Sequence, residues 1–335
     1  MKKKIVLATL FGATLLMASD VVNIYTSRHY DSDKIVYEMF TKETGIKVNV
    51  VQDKVDPLIK KLELEGKDTT ADVFMTVGFG DLYKAKQEGL LQPISSKIVD
   101  ENIPSNLMDK DKNWVGITYR ARIVVYDPAK TKVEELSTYE DLATPKWKGK
   151  ILTRSSTSSY NKHLIAFMIA KDGEEKASSW AKGLTENFAR SPKGNDRDQA
   201  KAILAGDGEI AIMNSYYMGR MSASKDPIEQ EVAKKLKIFF PNQNDGGTHI
   251  NLSGAGITKY AKNIENAKKF IEFLTNVEAQ EIFSKYNYEY PANPNAKTAD
   301  VVKSWGEFKA STLDFDLISQ SVQKAQSVAD KAGWQ

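Results

Sequence analysis

The chain has 335 residues, with 47 Lys and Arg against 44 Asp and Glu, and no cysteine. Lack of cysteine removes disulfides, zinc ribbons, iron–sulfur clusters and cysteine nucleophiles together. Setting aside Lys2, Lys3 and Lys4, which lead an apolar run, brings the basic count from 47 to 44, equal to the acidic one; that balance argues against nucleic acid as a partner.

The opening MKKK, the run IVLATLFGATLLM and the small residues Ala18 and Ser19 read as a secretory signal peptide over 1–19. The run is too short to span a bilayer, and no later segment reaches the roughly 18 apolar residues a membrane helix needs. No Cys follows it, so a lipid anchor on an N-terminal cysteine is excluded, and the mature protein is expected to be soluble and exported. Its length exceeds what one core usually serves, which predicts two domains.

Strand-like and helix-like segments then alternate, the signature of an α/β fold. VVNIYT (21–26) is a strand. DSDKIVYEMFTKETG (31–45) is a helix with Asp31 or Ser32 as N-cap and Gly45 as its stop. IKVNVVQ (46–52) alternates as a strand, DPLIKKLELEG (56–66) is a helix, ADVFMTV (71–77) a strand and DLYKAKQEG (81–89) a helix. WVGITYRARIVVYDP (114–128) is longer than an ordinary strand and is expected to cross between domains. KILTR is a strand, 160–184 a helix broken near Gly173, DRDQAKAILAGDG (196–208) a helix and EIAIMN (209–214) a strand. KLKIFFPNQ (235–243) is a strand, GGTHINLSGAGITKYA (246–261) a second crossing, and 265–286 an amphipathic helix or helix pair. Two crossings, near 118 and 240, predict two lobes with a ligand cleft between them.

Three segments carry the chemistry: VVNIYTSRHYDSD, GKILTRSSTSSYNKH and GEIAIMNSYYMGR. Each is a short apolar run, then polar turn residues, then a helix start. Ligands of open α/β sheets bind beyond the carboxyl ends of strands, so converging ends would gather Tyr30, Tyr160, Tyr216 and Tyr217, with His29 beside them. A phenol has a reference pKa of about 10 and binds as phenolate near neutral pH only beside a strong cation. Zinc prefers His, Cys and carboxylate, and calcium or magnesium take carboxylates and carbonyls; several phenolates fit ferric iron. His163, three residues after Tyr160, offers a rival Tyr–His pair, and His249 lies near the second crossing. Arg120 is either a neighbour that lowers a tyrosine pKa or a surface ion pair.

VNIYTSRHY, ADVFMTV, the Arg120 strand, AIMNSYYMGR and NLSGAGITKYAKNIENAKKFIEFLTNVEAQ resemble the periplasmic ferric-ion-binding proteins of bacterial ABC iron importers, in their tyrosine-rich branch. The resemblance implies a two-lobed type II periplasmic-binding-protein fold with a two-strand hinge, lobe one formed by 20–117 plus 241–286 and lobe two by 118–240 plus 287–335. It implies a monomeric, non-enzymatic periplasmic carrier that delivers Fe3+ to an inner-membrane ABC transporter permease. By position, Tyr216 and Tyr217 match the tandem tyrosine ligands and Tyr30 and Tyr160 the additional tyrosines; His29 matches a position that ligates in some members and not in others. Another branch uses a glutamate after the ADVF-type strand together with phosphate. Val77 stands there in this chain, which favours an all-protein site and leaves open whether carbonate or another anion completes the shell.

Two other functions compete. A carrier of a polyamine or sugar would need stacking surfaces or paired carboxylates in the cleft. An exported hydrolase would need a nucleophile–base pair, for which Ser155–Ser159 near His163 is the nearest candidate, without a G-x-S-x-G elbow.

Overall fold

The computed structural model describes residues 21–335; the expected signal peptide lies outside the described residues. The strands of the described residues are β1 (Val21–Thr26), β2 (Lys47–Gln52), β3 (Val73–Thr76), β4 (Leu91–Gln92), β5 (Val115–Tyr126), β6 (Ile151–Leu152), β7 (Ile210–Asn214), β8 (Lys237–Phe239), β9 (Ile250–Thr258) and β10 (Tyr290–Pro291). Their hydrogen-bonded order is β2-β1-β3-β9-β5-β7-β6, with β4 added to β9 and with β8 and β10 added to β5. β1 pairs in parallel with β2 and β3, and β6 with β7, whereas β9 and β5 run antiparallel to their neighbours.

The inner strands β3 and β7 are buried along their whole length, as their unbroken apolar runs require of strands covered on both faces. The alternation in β2 does not reflect a half-buried strand. It is an edge strand, exposed except for half-buried Val48, with Lys47 at its start and polar Asn49 and Gln52 on its length, a composition that discourages edge-to-edge pairing.

The long β5 is the spine. Its first part, Val115–Ala121, pairs with β9, and its second part, Arg122–Tyr126, pairs with β7. Arg122 N marks the exchange by donating to His249 O at 2.9 Å. β8 pairs only with the Val124–Tyr126 end of β5, so the return path from β8 to β9 runs through the irregular segment 240–249 rather than one continuous strand.

Helix limits follow local chemistry. The first helix is Asp31–Thr44, with Tyr30 at the N-cap position in place of Asp31 or Ser32, and it ends at Gly45, whose φ is +74°. Only a residue free of a Cβ adopts that left-handed conformation cheaply. Gly173 splits Ser159–Asp172 from Glu174–Glu186, and the 265–286 segment is a pair, Ile264–Leu274 and Val277–Asn287. The second member of that pair starts where Asn276 accepts from Ala279 N at 2.8 Å. KILTR pairs only over Ile151–Leu152. The next carbonyls are taken by a side chain, since Asn161 Nδ2 donates to Arg154 O at 2.7 Å and Ser155 O at 3.2 Å. At the C-terminal end, the helices Phe315–Gln320 and Val322–Ala332 pack on Ser159–Asp172, and buried Trp334 lies against Trp180 and Phe188. Among the described residues no helix is long and apolar enough to cross a membrane.

Candidate metal centre

β1, β6 and β7 end where the helices Asp31–Thr44, Ser159–Asp172 and Tyr216–Ser222 begin or approach. Four phenols meet there. Tyr160 Oη lies 3.2 Å from Tyr216 Oη, and the Tyr216 and Tyr217 rings are 4.2 Å apart and 33° from parallel. On a strand, adjacent side chains would point to opposite faces. Here Asn214 closes the strand and the pair opens a helix, so both rings stay on one side.

The phenols sense one another electrically. Burial, then Glu289, raise the Tyr30 phenol above its ordinary value, while Arg120 and Arg28 pull it down. Burial raises Tyr216 as well, followed by its neighbours Tyr160, Tyr217 and Tyr30, against Arg120. Tyr217 is pushed up to about 12, first by burial and then by Tyr160 and Asp196. Burial and mutual repulsion both disfavour phenolates here, so at neutral pH these three phenols keep their protons unless a cation is present.

A ring of guanidinium groups surrounds the phenols. Arg28, 1% exposed, forms an ion pair with Asp33 at 2.7 Å and lies 5.0 Å from the Tyr30 ring centre. Arg220 lies 5.1 Å from the Tyr30 ring and 5.5 Å from that of Tyr216, so it touches phenols from two segments. Arg154 and Arg122 approach Tyr160 at 5.5 and 5.9 Å. Arg120 is not a surface ion pair. It is buried, 3.6 Å from Glu289 Oε1, and donates to Ser253 Oγ and to the Val77 carbonyl. Burial works against its charge, yet Glu289 and the phenols of Tyr160, Tyr30 and Tyr216 outweigh that and raise its pKa. Val77 thus offers the site only a backbone carbonyl, already engaged by Arg120. Arg28 Nη1 and Arg120 Nε have no hydrogen-bond partner among the described residues.

His29 is exposed, its ring 4.9 Å from that of Tyr30 and its Nδ1 3.4 Å from Ser27 O. It sits at the rim, outside the contacts that tie the four phenols together. His163 does not pair with Tyr160: its ring packs on Phe79 at 4.8 Å and its Nδ1 lies 3.4 Å from Asn251 Nδ2. Burial holds it at about 4, helped by Arg120, so it is neutral. The Ser155 hydroxyl is engaged with Thr157 at 2.9 Å, and no hydroxyl of 155–159 bonds to His163. His249 is buried against Phe167, 4.9 Å between rings. Among the described residues no group of three or more His, Cys, Asp or Glu could hold a metal, which leaves the phenols as the converging donors.

The base of the tandem pair is built by residues that sequence reading passed over. Asp196, fully buried, accepts from Arg122 Nη1 at 2.7 Å, from Asn214 N at 2.9 Å and from Arg154 Nη1 at 3.4 Å. Arg122 also donates to Asn161 Oδ1 at 2.6 Å, so one carboxylate joins the Tyr160 helix to the strand that carries Tyr216 and Tyr217. Asp196→Ala would leave Arg122 buried and uncompensated, and we expect a loss of about 3–5 kcal/mol, read from the midpoint of urea unfolding; an unchanged midpoint would contradict this role. Arg220 was legible, being four residues after Tyr216 on one helix face. Glu289 was not, because only the pairing of β10 with β5 brings it near Arg120.

Comparison with known proteins places this chain in a family. Residues 68–320 match the bacterial extracellular solute-binding proteins. The chain is 44% identical over 313 residues to the Synechocystis iron uptake protein A1, covering 93% of this chain and 87% of that protein. A Trichodesmium protein solved with iron and citrate ligands superposes with a TM-score of 0.91 at 48% identity, covering 94% of this chain and 100% of the other. The ferric-binding protein from Campylobacter jejuni gives a TM-score of 0.85 at 44% identity over 94% of this chain and 100% of its own. With that extent of match in sequence and in fold, the chain belongs to the bacterial extracellular solute-binding proteins.

Proposed function

We propose that the protein captures one ferric ion in the periplasm and hands it to an inner-membrane ABC transporter permease. The observation that carries the reading is the four-phenol cluster, with Tyr160 Oη 3.2 Å from Tyr216 Oη and the Tyr217 ring 4.2 Å from that of Tyr216. Tyr30, Tyr160, Tyr216 and Tyr217 bind as tyrosinates, and the cation supplies the charge that makes deprotonation favourable. Arg120 and Arg28 soften the cost of those anions from behind. Their unpartnered N–H groups are the donors left for an anion that completes the shell. Iron bound across the ends of β1, β6 and β7 draws the two lobes, 20–117 with 241–286 and 118–240 with 287–335, towards each other, because only the approached form offers every ligand.

The relatives named for iron uptake and ferric binding support this reading over a carrier of an organic solute. A carrier also fits the engagement of His163 with Asn251 and of the Ser155 hydroxyl with Thr157. Iron analysis with a visible absorption spectrum of the purified protein tests it. One iron per chain and a tyrosinate charge-transfer band are expected; a colourless protein that takes up no ferric iron would sink the proposal.

His29 is the imidazole beside Tyr30, 4.9 Å between ring centres. His29→Ala is expected to lower iron affinity by less than any Tyr→Phe change, since it removes no anionic ligand, and to leave the visible band in place. Identical affinities for variant and wild type, measured by chelator competition, would remove His29 from the shell.

A further inference from the structure

On the other side of the β5 spine a second cavity has no place in iron capture. Its volume is about 520 Å³, in the range of small-molecule sites, and Tyr119, Tyr290 and Phe308 line it. Tyr119 follows the direction of its strand away from Arg120 and is the cross-strand partner of Tyr290 in the β5–β10 pair. The two rings stack 5.3 Å apart and 17° from parallel, and Phe308 meets Tyr290 edge-on at 5.1 Å. Phe308 itself stacks flat on Phe240 at 4.4 Å and 4°. Such a surface takes another ring by offset or edge contact.

Two features point to a ligand rather than simple packing. Tyr290 is 7% exposed, yet its hydroxyl has no hydrogen-bond partner among the described residues, an arrangement that buried phenols generally avoid. The rim carries Lys297, Asp300, Lys303 and Glu307. None of these four forms an ion pair among the described residues, although 25 such pairs occur elsewhere. Unpaired charges of both signs above an aromatic floor match a molecule that presents a ring, an ammonium and a carboxylate together.

We propose that this cavity binds a small aromatic zwitterion of the α-amino-acid type. The ring lies against Tyr119, Tyr290 and Phe308, the carboxylate faces Lys297 and Lys303, and the ammonium faces Asp300 and Glu307. The site is separate from the phenol cluster, so iron is not required.

Titration calorimetry with L-phenylalanine, on iron-free and iron-loaded protein, tests this. Saturable one-to-one binding with a dissociation constant below about 1 mM is expected in both forms. Phenylacetate, which lacks the ammonium, and phenethylamine, which lacks the carboxylate, should each bind at least tenfold more weakly, and glycine should give no heat. Phe308→Ala should weaken phenylalanine at least tenfold. Because that change could disturb the stack on Phe240, the surface pair Lys303→Ala with Glu307→Ala serves as a second variant, with the same tenfold loss and an unaltered iron band. No saturable heat, equal binding of the singly charged analogues, unchanged binding in the surface variant, or loss of binding on iron loading would each overturn the proposal.

Discussion

Tyr216→Phe and Tyr217→Phe should each lower ferric affinity by on the order of a hundredfold or more and shift or abolish the visible band. The scale is set by outer partners of metal ligands, whose loss alone costs roughly 10–100-fold, and here an anionic ligand itself is removed. Phenylalanine keeps the ring, so the tilted contact with its neighbour at 4.2 Å survives and the fold is little disturbed. Tyr216→Phe carries an added effect, because Tyr160 Oη loses the hydroxyl 3.2 Å away. The measurement is competition against a chelator of known affinity, together with the spectrum. If both variants keep wild-type affinity and colour, the tandem pair does not touch the metal.

Acidification should release the iron steeply. Tyr30, Tyr216 and Tyr217 all have pKa values raised first by burial and then by neighbouring acidic groups, carboxylates or other phenols, so each is protonated in the empty protein at neutral pH. Each must give up a proton to bind and regain one to let go. The sign follows: affinity rises with pH and falls as pH drops. The four tyrosinate ligands correspond to four coupled protons, a change of about ten-thousandfold in affinity per pH unit, after correction for the competing chelator. A slope of about one proton per iron would mean that most of the phenols stay protonated beside the metal.

The acid response should be shallower in Tyr217→Phe than in the wild type. That variant removes one of the three shifted phenols, and its loss also relieves repulsion on Tyr216, whose own pKa is raised by Tyr217 after burial and Tyr160. The comparison separates a ligand from a bystander, since a phenol outside the shell would leave the slope intact.

Much of this was written locally. The apolar runs of β1, β3 and β7, the breaks at Gly45 and Gly173 and the long β5 follow from side-chain period and from glycine at left-handed positions. So did the position of the four tyrosines just beyond strand ends, because a strand followed by polar turn residues and a helix start is a local pattern. The chemistry of many phenols and no cysteine needed only the list of residues.

Contacts between distant segments were decided by the tertiary structure. Local pattern could not distinguish β2 as an edge strand from a half-buried one, since alternation is the same in both. Nor could it tell that Arg120, read as a possible surface charge, is buried opposite Glu289, which stands 169 positions later in the chain. Asp196 reads as a helix N-terminal acid in sequence; only packing places it between Arg122, Arg154 and Asn214. The reason is physical: helix caps and strand periods are set by neighbours within a few residues, whereas a buried charge is tolerated only where an opposite charge arrives from elsewhere in the fold. The tyrosines could be named from the sequence, but the arginines and carboxylates that set their protonation could be found only once the strands had been brought together.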